Sequence, residues 1–211
     1  MKIFYVDSQS YNNLGEYDKY LLENIKQEKT FFCSDMLVYK KIRSTDIRRI
    51  YMYNTLKGLK KVFSYLKSQT ILLKEIKQGE PDIVHFQWFK IPFLDLLFLK
   101  KINAISRKTK IVITAHNVLP HDSGKKYVNI YRKIYSLVDK IIVHADVTKY
   151  EIVNQFYISS EKIAVIPHGL LPLKVKYPRN GGADRITFSF LGSLSNYKGL
   201  DILIDAWCND D

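Results

Sequence analysis

DIVHFQWFKIPFLDLLFLKKINAISRKTKIVITAHN, residues 82–117, decides the fold. It opens with DIVHF (82–86) and ends on KIVITA (110–115), two short runs rich in Ile, Val or Phe that lack polar alternation. Such runs suit strands covered on both faces of a parallel sheet. Between them, apolar spacing predicts a helix over about 92–106. The same alternation extends in both directions. KIFYV (2–6), KIIVHA (140–145), KIAVIP (162–167) and ITFSFL (186–191) read as further strands, and FFCSDMLVY (31–39) is another candidate. Helical spacing recurs over 16–28, 47–77, 125–138 and 147–157. Strand–helix alternation of this kind predicts an α/β fold built on a doubly wound parallel sheet.

Composition agrees with a folded chain. Of 211 residues, 46% are hydrophobic and 26% charged, close to the globular average, which argues against disorder. Cys33 and Cys208 are too far apart for a metal or redox motif, and they imply no disulfide framework, as suits a reducing cytoplasm. MKIFYVDSQS reads as a first strand rather than a signal peptide. The most apolar stretch, IPFLDLLFLKKI (91–102), is interrupted by Asp95 and ends in lysines, short of the roughly 20 residues that span a bilayer.

Charge is uneven. The net charge is +12, and Lys40–Lys77 holds eleven Lys/Arg against Asp46 and Glu75, a surplus of nine. Within it, Ile47, Ile50, Leu56, Leu59, Val62, Phe63 and Leu66 recur at three- and four-residue intervals, with Arg48, Arg49, Lys57, Lys60, Lys61 and Lys67 mostly between them. This reads as an amphipathic helix, its apolar face on the sheet and its cationic face toward an anionic surface. Anionic lipid, a lipid-linked substrate or nucleic acid would each satisfy that charge; a solvated helix face would too. No recognised nucleic-acid module accompanies it, so nucleic acid is not an expected partner.

After residue 172, LPLKVKYPRNGGAD (171–184) carries two prolines, paired glycines and no periodicity, and reads as a linker. The expected organisation is a first domain over 1–172, a linker over 173–185 and the start of a second domain over 186–211. One strand and one helix cannot bury their own apolar faces, so Leu200, Leu203, Ile204 and Trp207 need a sheet from elsewhere. The apolar edge over 186–211 could also favour self-association.

Three stretches in order carry a family resemblance. KIVITAHNVLPHDSG (110–124) resembles the strand ending in a His-Asn or His-Asp pair in group 1 (family 4) glycosyltransferases. KIAVIPHGL (162–170) is similar to their interdomain segment, and FLGSLSNYKGLDILIDAW (190–207) to the opening of their C-terminal domain. The resemblance implies a GT-B architecture: a Rossmann-like acceptor-side domain facing a donor-binding domain, here represented only by its first βα unit. It implies transfer of a sugar from a nucleotide-sugar donor to a glycan or lipid-linked acceptor in polysaccharide biosynthesis, usually with retention, at the cytoplasmic face of the membrane. It implies no cofactor and no structural metal. The alternative is a non-catalytic module that binds a glycan or partner.

Under that resemblance His116 is the expected residue of the reaction centre, hydrogen-bonding sugar hydroxyls without changing charge. Asn117 would shape the same loop. Gly192, Ser193, Lys198 and Gly199 match the donor-binding motif. Lys198 would meet the diphosphate as a point charge, and Ser193 stands where the family usually has arginine. SQSYNNLGEY (8–17) occupies the acceptor loop, with Asn13 and Gly15 as candidate contacts and Asn12 and Asn13 able to take left-handed backbone. His85 and His144 are expected to be core histidines, while His168 is expected to line the cleft. Trp88, Phe89 and Phe93 could form a sugar platform, though they suit helix packing better. His116 and His121 do not share a helical face for zinc. The family's paired glutamates would lie past Asp211, so the 211 residues alone are expected to be catalytically incomplete.

Overall fold

A computed structural model of the chain describes residues 1–120, 126–170, 189–192, 194 and 198–208. It divides into two compact units, Met1–Leu171 and Pro172–Asp211. The first is built on seven strands: β1 (Lys2–Asp7), β2 (Glu28–Ser34), β3 (Asp46–Tyr51), β4 (Ile83–Phe86), β5 (Lys110–Thr114), β6 (Lys140–Val143) and β7 (Ile163–Val165). Their order is β3-β2-β1-β4-β5-β6-β7, and every pairing is parallel. The chain steps outward from β1 through β2 to β3, then returns to lay β4 on the other side of β1. That reversal opens a crevice beyond the carboxyl ends of β1 and β4.

Successive side chains of a strand face opposite sides of the sheet, and this alternation separates two cores. Phe4, Val6, Phe32, Val84 and Ile113 join the larger cluster. It is covered by α2 (Gly58–Gly79), α3 (Pro92–Ile105), α4 (Val128–Leu137) and α5 (Asp146–Phe156), each touching the next. Tyr5, Phe31 and Cys33 point the other way, where Leu22 of α1 (Asn12–Asn24) closes a smaller cluster with Leu37 and Ile42. Helices therefore lie on both faces, as a doubly wound α/β fold requires.

The single helix expected over 47–77 is two elements. Residues 46–51 form edge strand β3, with Ile47 opposite Phe31 and Arg49 opposite Cys33. Ile47 and Ile50 fit a helical spacing, but the strand pairs with β2 over most of its length, with a register shift between Cys33 and Ser34. Tertiary pairing overrides the local pattern. Arg48 and Arg49 thus sit on the strand: Arg48 binds Asp46 at 2.8 Å and Arg49 donates to the Tyr39 carbonyl at 2.7 Å. Asn54 then pins the turn, donating to the Ser8 carbonyl and the Ser34 hydroxyl, before α2 begins at Gly58 with φ +56°. The apolar face of α2 also departs from the expectation. Tyr65, Leu72 and Ile76 are buried, whereas Leu59 and Phe63 are 76% and 69% exposed. Near the N-terminus, α1 ends at Asn24 rather than 28, and β2 runs over 28–34 rather than 31–39.

The second unit contributes α6 (Leu200–Cys208), with Ile202, Leu203, Ile204 and Trp207 exposed. The expected linker 173–185, residues 186–188 of the expected strand, Ser193 and His121 lie outside the described residues.

One buried pair sets a pH dependence. Asp7, ending β1, and Asp18, in α1, are 1% and 0% exposed. Burial pushes Asp7 up to about 6; burial and then the Asp7 charge raise Asp18 well above the carboxylate range. Asp18 accepts from the Tyr5 hydroxyl at 2.7 Å. Both groups have folded-state pKa values above their unfolded ones, so the stability they contribute is full at low pH. It is lost as pH rises through about 6 and beyond. Thermal melts of Asp18→Asn should therefore decline less between about pH 5 and 8 than those of the parent chain, by the equivalent of about 2 kcal/mol. Parallel declines would refute the paired-carboxyl account.

Candidate functional site

Each strand of a parallel sheet delivers the residues that follow it to the same edge. β1 is followed by Ser8–Tyr11, β4 by Gln87–Lys90, β5 by Ala115–Asn117 and β6 by His144. The segments after β1, β4 and β5 meet in a cavity of about 410 Å³ beside the topological reversal. Gln9 and Lys90 stand at one side, with Lys90 Nζ donating to Gln9 Oε1 at 3.3 Å. Trp88, Phe89 and three tyrosines of the α4 region supply apolar walls, and Gln87, His116 and Asn117 the polar ones.

His116 sits two residues past β5 and is half-buried. Trp88 stacks on its ring, centroids 4.5 Å apart and planes 10° apart. Its Nε2 meets Gln87 Oε1 at 3.0 Å, and its Nδ1 meets Nε2 of His144 at 3.2 Å. His144 Nδ1 in turn faces the Ile166 carbonyl at 2.9 Å. Burial, then the neighbouring histidines, push His116 down to about 3, so its imidazole is neutral at neutral pH. A neutral ring has one donor and one acceptor nitrogen. Two neutral rings between the Gln87 oxygen and the Ile166 carbonyl supply two protons for three contacts, so this run is one proton short. Turning the Gln87 amide over, so that its NH₂ donates to His116 Nε2, completes it.

A second cavity, of about 350 Å³, adjoins His85 and His144 on the α1 side of the sheet. Tyr17 of α1 lines it and bridges the histidines, stacked on His168 at 4.9 Å and edge-on to His116 at 5.5 Å. His85, inside β4, meets the Thr114 hydroxyl at 2.8 Å, and burial lowers it to about 4. His85 is therefore fixed within the sheet, whereas His144 lies one residue past β6 and belongs to the rim. Phe93 lies on α3, 60% exposed.

The remaining sequence candidates are placed as follows. Asn117 lines the larger cavity beside His116. Asn13 is exposed in the first turn of α1, and its neighbour Asn12 carries the left-handed φ of +51°. Gly15 is buried in α1, where a Cβ would stand 3.0 Å from Leu37 and 3.1 Å from the Ser10 carbonyl. That contact gives it a packing role, and it lines neither cavity. In the second unit Gly192 has φ +146° and Gly199 φ +66°. The Lys198 chain passes 3.7 Å from where a Gly192 Cβ would be. Sequence reading missed Tyr17, Gln87, Gln9 and Lys90. Gln87 and Lys90 follow a strand directly, a signal that was present, but nothing local marks Tyr17.

Three solved structures share the fold. The Rickettsia africae glycosyltransferase is 20% identical, with a TM-score of 0.51, over 80% of this chain and 43% of that one. A lipopolysaccharide outer core galactosyltransferase, WaaB, in its apo form is 18% identical, with a TM-score of 0.52, over 86% and 50%. Anabaena HepE in complex with UDP and glucose is 13% identical, with a TM-score of 0.57, over 81% and 45%. The chain therefore spans half or less of the length of these structures. No curated protein matches it. The family model Glycosyltransferase Family 4 matches residues 32–170, more than half of the chain and most of the sheet, and the chain belongs to that family.

Proposed function

We propose that the protein is the acceptor-side part of a glycosyltransferase that moves a sugar from a nucleotide-sugar donor to a glycan or lipid-linked acceptor, with retention of configuration. The observation that carries this reading is His116: a neutral, half-buried imidazole on the rim of an aromatic-walled cavity at the reversal of a parallel sheet. Aromatic faces suit the apolar faces of sugar rings, and a neutral imidazole offers hydroxyls one donor and one acceptor. In the second unit, the positive φ at Gly192 and Gly199 and the proximity of Lys198 support a diphosphate-binding turn. UDP-sugars are the first donors to test, since HepE is bound to UDP and glucose.

We place the acceptor's lipid on the α2–α3 side. In an all-parallel sheet the helices begin at the strands' carboxyl edge, so the first turns of α2 and α3 stand at the end of the domain that holds the cavity. Near there Leu59 and Phe63, with Phe93 and Leu97 of α3, are 41–76% exposed beside Lys57 and Lys60, and Lys67, Lys100 and Lys101 follow farther along the same helices. Apolar residues among lysines at a helix surface suit an anionic bilayer interface. No described helix is long and apolar enough to cross a membrane.

His116→Ala in the complete protein is expected to lower kcat with a UDP-sugar by roughly 10²-fold. Because the ring stays neutral down to about 3, the parent's rate should show no limb from His116 above about pH 4. Full turnover by the variant would remove His116 from the reaction centre. The 211 residues alone should turn over negligibly. For the membrane face, flotation with anionic vesicles at low salt should recover the chain. Leu59→Ser with Phe63→Ser should weaken binding by roughly tenfold or more. Equal recovery with neutral vesicles would dismiss the anionic surface.

A further inference from the structure

We propose that the larger cavity holds an acidic acceptor, its anionic group seated between Lys90 and Lys61 while its sugar ring lies against Trp88. This rests on the acceptor-side reading above and names the chemistry of what is accepted: a carboxylate-bearing sugar or a phosphate-bearing one.

The lining of the cavity decides the sign of charge. Among the described residues it contains one cation, Lys90, and no aspartate or glutamate. Carboxylates are strong acceptors for the hydroxyls of a neutral sugar, and a wall without them repels no anion. Hydrogen bonds come instead from Gln9, Gln87, His116, Asn117 and Lys90.

Lys90 is poorly placed without an anion. It is half-buried, and burial and then the nearby Lys61 charge both lower its pKa. Two ammonium groups held near each other in a desolvated corner oppose one another, and an anion between them removes both penalties. Among the described residues no protein group supplies it. Neither lysine forms an ion pair among the described residues; Lys90 has the Gln9 amide oxygen, and Lys61 lies 5.8 Å over the Tyr53 ring. Asp95, at the start of α3, has its oxygens taken by the Tyr65 hydroxyl and the Ile91 backbone N–H. Burial raises its pKa to about 7, so it is a weak counter-charge as well.

The geometry places this corner correctly. Gln9 follows β1 and Lys90 follows β4, so their hydrogen bond spans the reversal of strand order itself. Lys61, in the first turn of α2, holds its Nζ 5.8 Å over the Tyr53 ring, whose hydroxyl donates to Ser8 just past β1. An anion seated here leaves the Trp88–His116 stack beside the sugar ring.

The chain contains two tryptophans, Trp88 and Trp207. A Trp207→Phe background therefore makes Trp88 the sole indole reporter of the cavity. Methyl glucuronide, methyl glucoside, glucose 1-phosphate, inorganic phosphate and UDP are titrated against its fluorescence at low salt. The glucuronide or the sugar phosphate is expected to bind roughly tenfold or more tightly than the neutral glucoside. Lys90→Gln should erase that preference and Lys61→Gln should weaken it. Lys74→Gln, an exposed lysine farther along α2, should leave it intact, and thermal melts establish that each variant folds. A stronger response to glucuronide assigns a carboxylate sugar, and a stronger response to the sugar phosphate or to phosphate alone assigns a phosphorylated acceptor. Both support the subsite. Equal binding of glucoside and glucuronide, unchanged by Lys90→Gln, overturns the anionic subsite and leaves the sugar-binding reading standing. UDP that binds through Lys90 and displaces the sugars overturns it in favour of the leaving nucleotide. Silence of Trp88 toward every ligand overturns both.

Discussion

Parallel strands all send their carboxyl ends the same way, and that constraint assembles the chemistry of this chain. A sheet ordered β3-β2-β1-β4-β5-β6-β7 has one place where consecutive connections diverge, between β1 and β4. Connections leaving β1 and β4 run to opposite faces: the first enters α1, the second α3. They part and leave a crevice that neither covers. Gln9, Gln87, Trp88, Lys90 and His116 are far apart in sequence, yet each lies just beyond a strand end. Misregistering any one strand would separate them, so the hydrogen-bond ladder of the sheet positions the site.

Burial near this edge controls charge. His85 and His116 are kept neutral by desolvation, while Asp18 and Asp95 are pushed toward their protonated forms. In each case a low-dielectric setting favours the uncharged species. The result is a strand edge dense in titratable groups yet poor in fixed charge. Lys90 is the exception, half-buried beside another cation. An otherwise uncharged surround makes one ammonium count for more, because little else screens it.

Much of the sheet was legible from apolar runs, because buried parallel strands need Ile, Val and Phe on both faces. KIFYV, DIVHF, KIVITA and KIIVHA each place a strand within a residue or two at their ends. Edge strand β3 was not legible. DIRRIY carries charges because one of its sides lacks a neighbouring strand, and its isoleucines fit a helical spacing equally well. His116 was legible through its position after KIVITA together with the family pattern. Tyr17 was not: it lies mid-helix, and only the packing of α1 across the sheet brings it over His116, His144 and His168. Gly15 was expected from its loop-like stretch as an acceptor contact, and the structure shows it in α1, where a Cβ would press on the Leu37 side chain and the Ser10 carbonyl.

The two margins of the sheet differ in a way that bears on association between chains. β3 presents its outer margin with Arg48 and Arg49, Arg48 clamped to Asp46 and reaching Glu75 at 3.9 Å. β7 has only three residues, too short to template a long added strand. Charge guards one flank and brevity the other, the two devices by which open sheets resist stacking edge to edge. Assembly of this domain with other molecules is thereby steered away from strand addition and toward its helical and crevice surfaces.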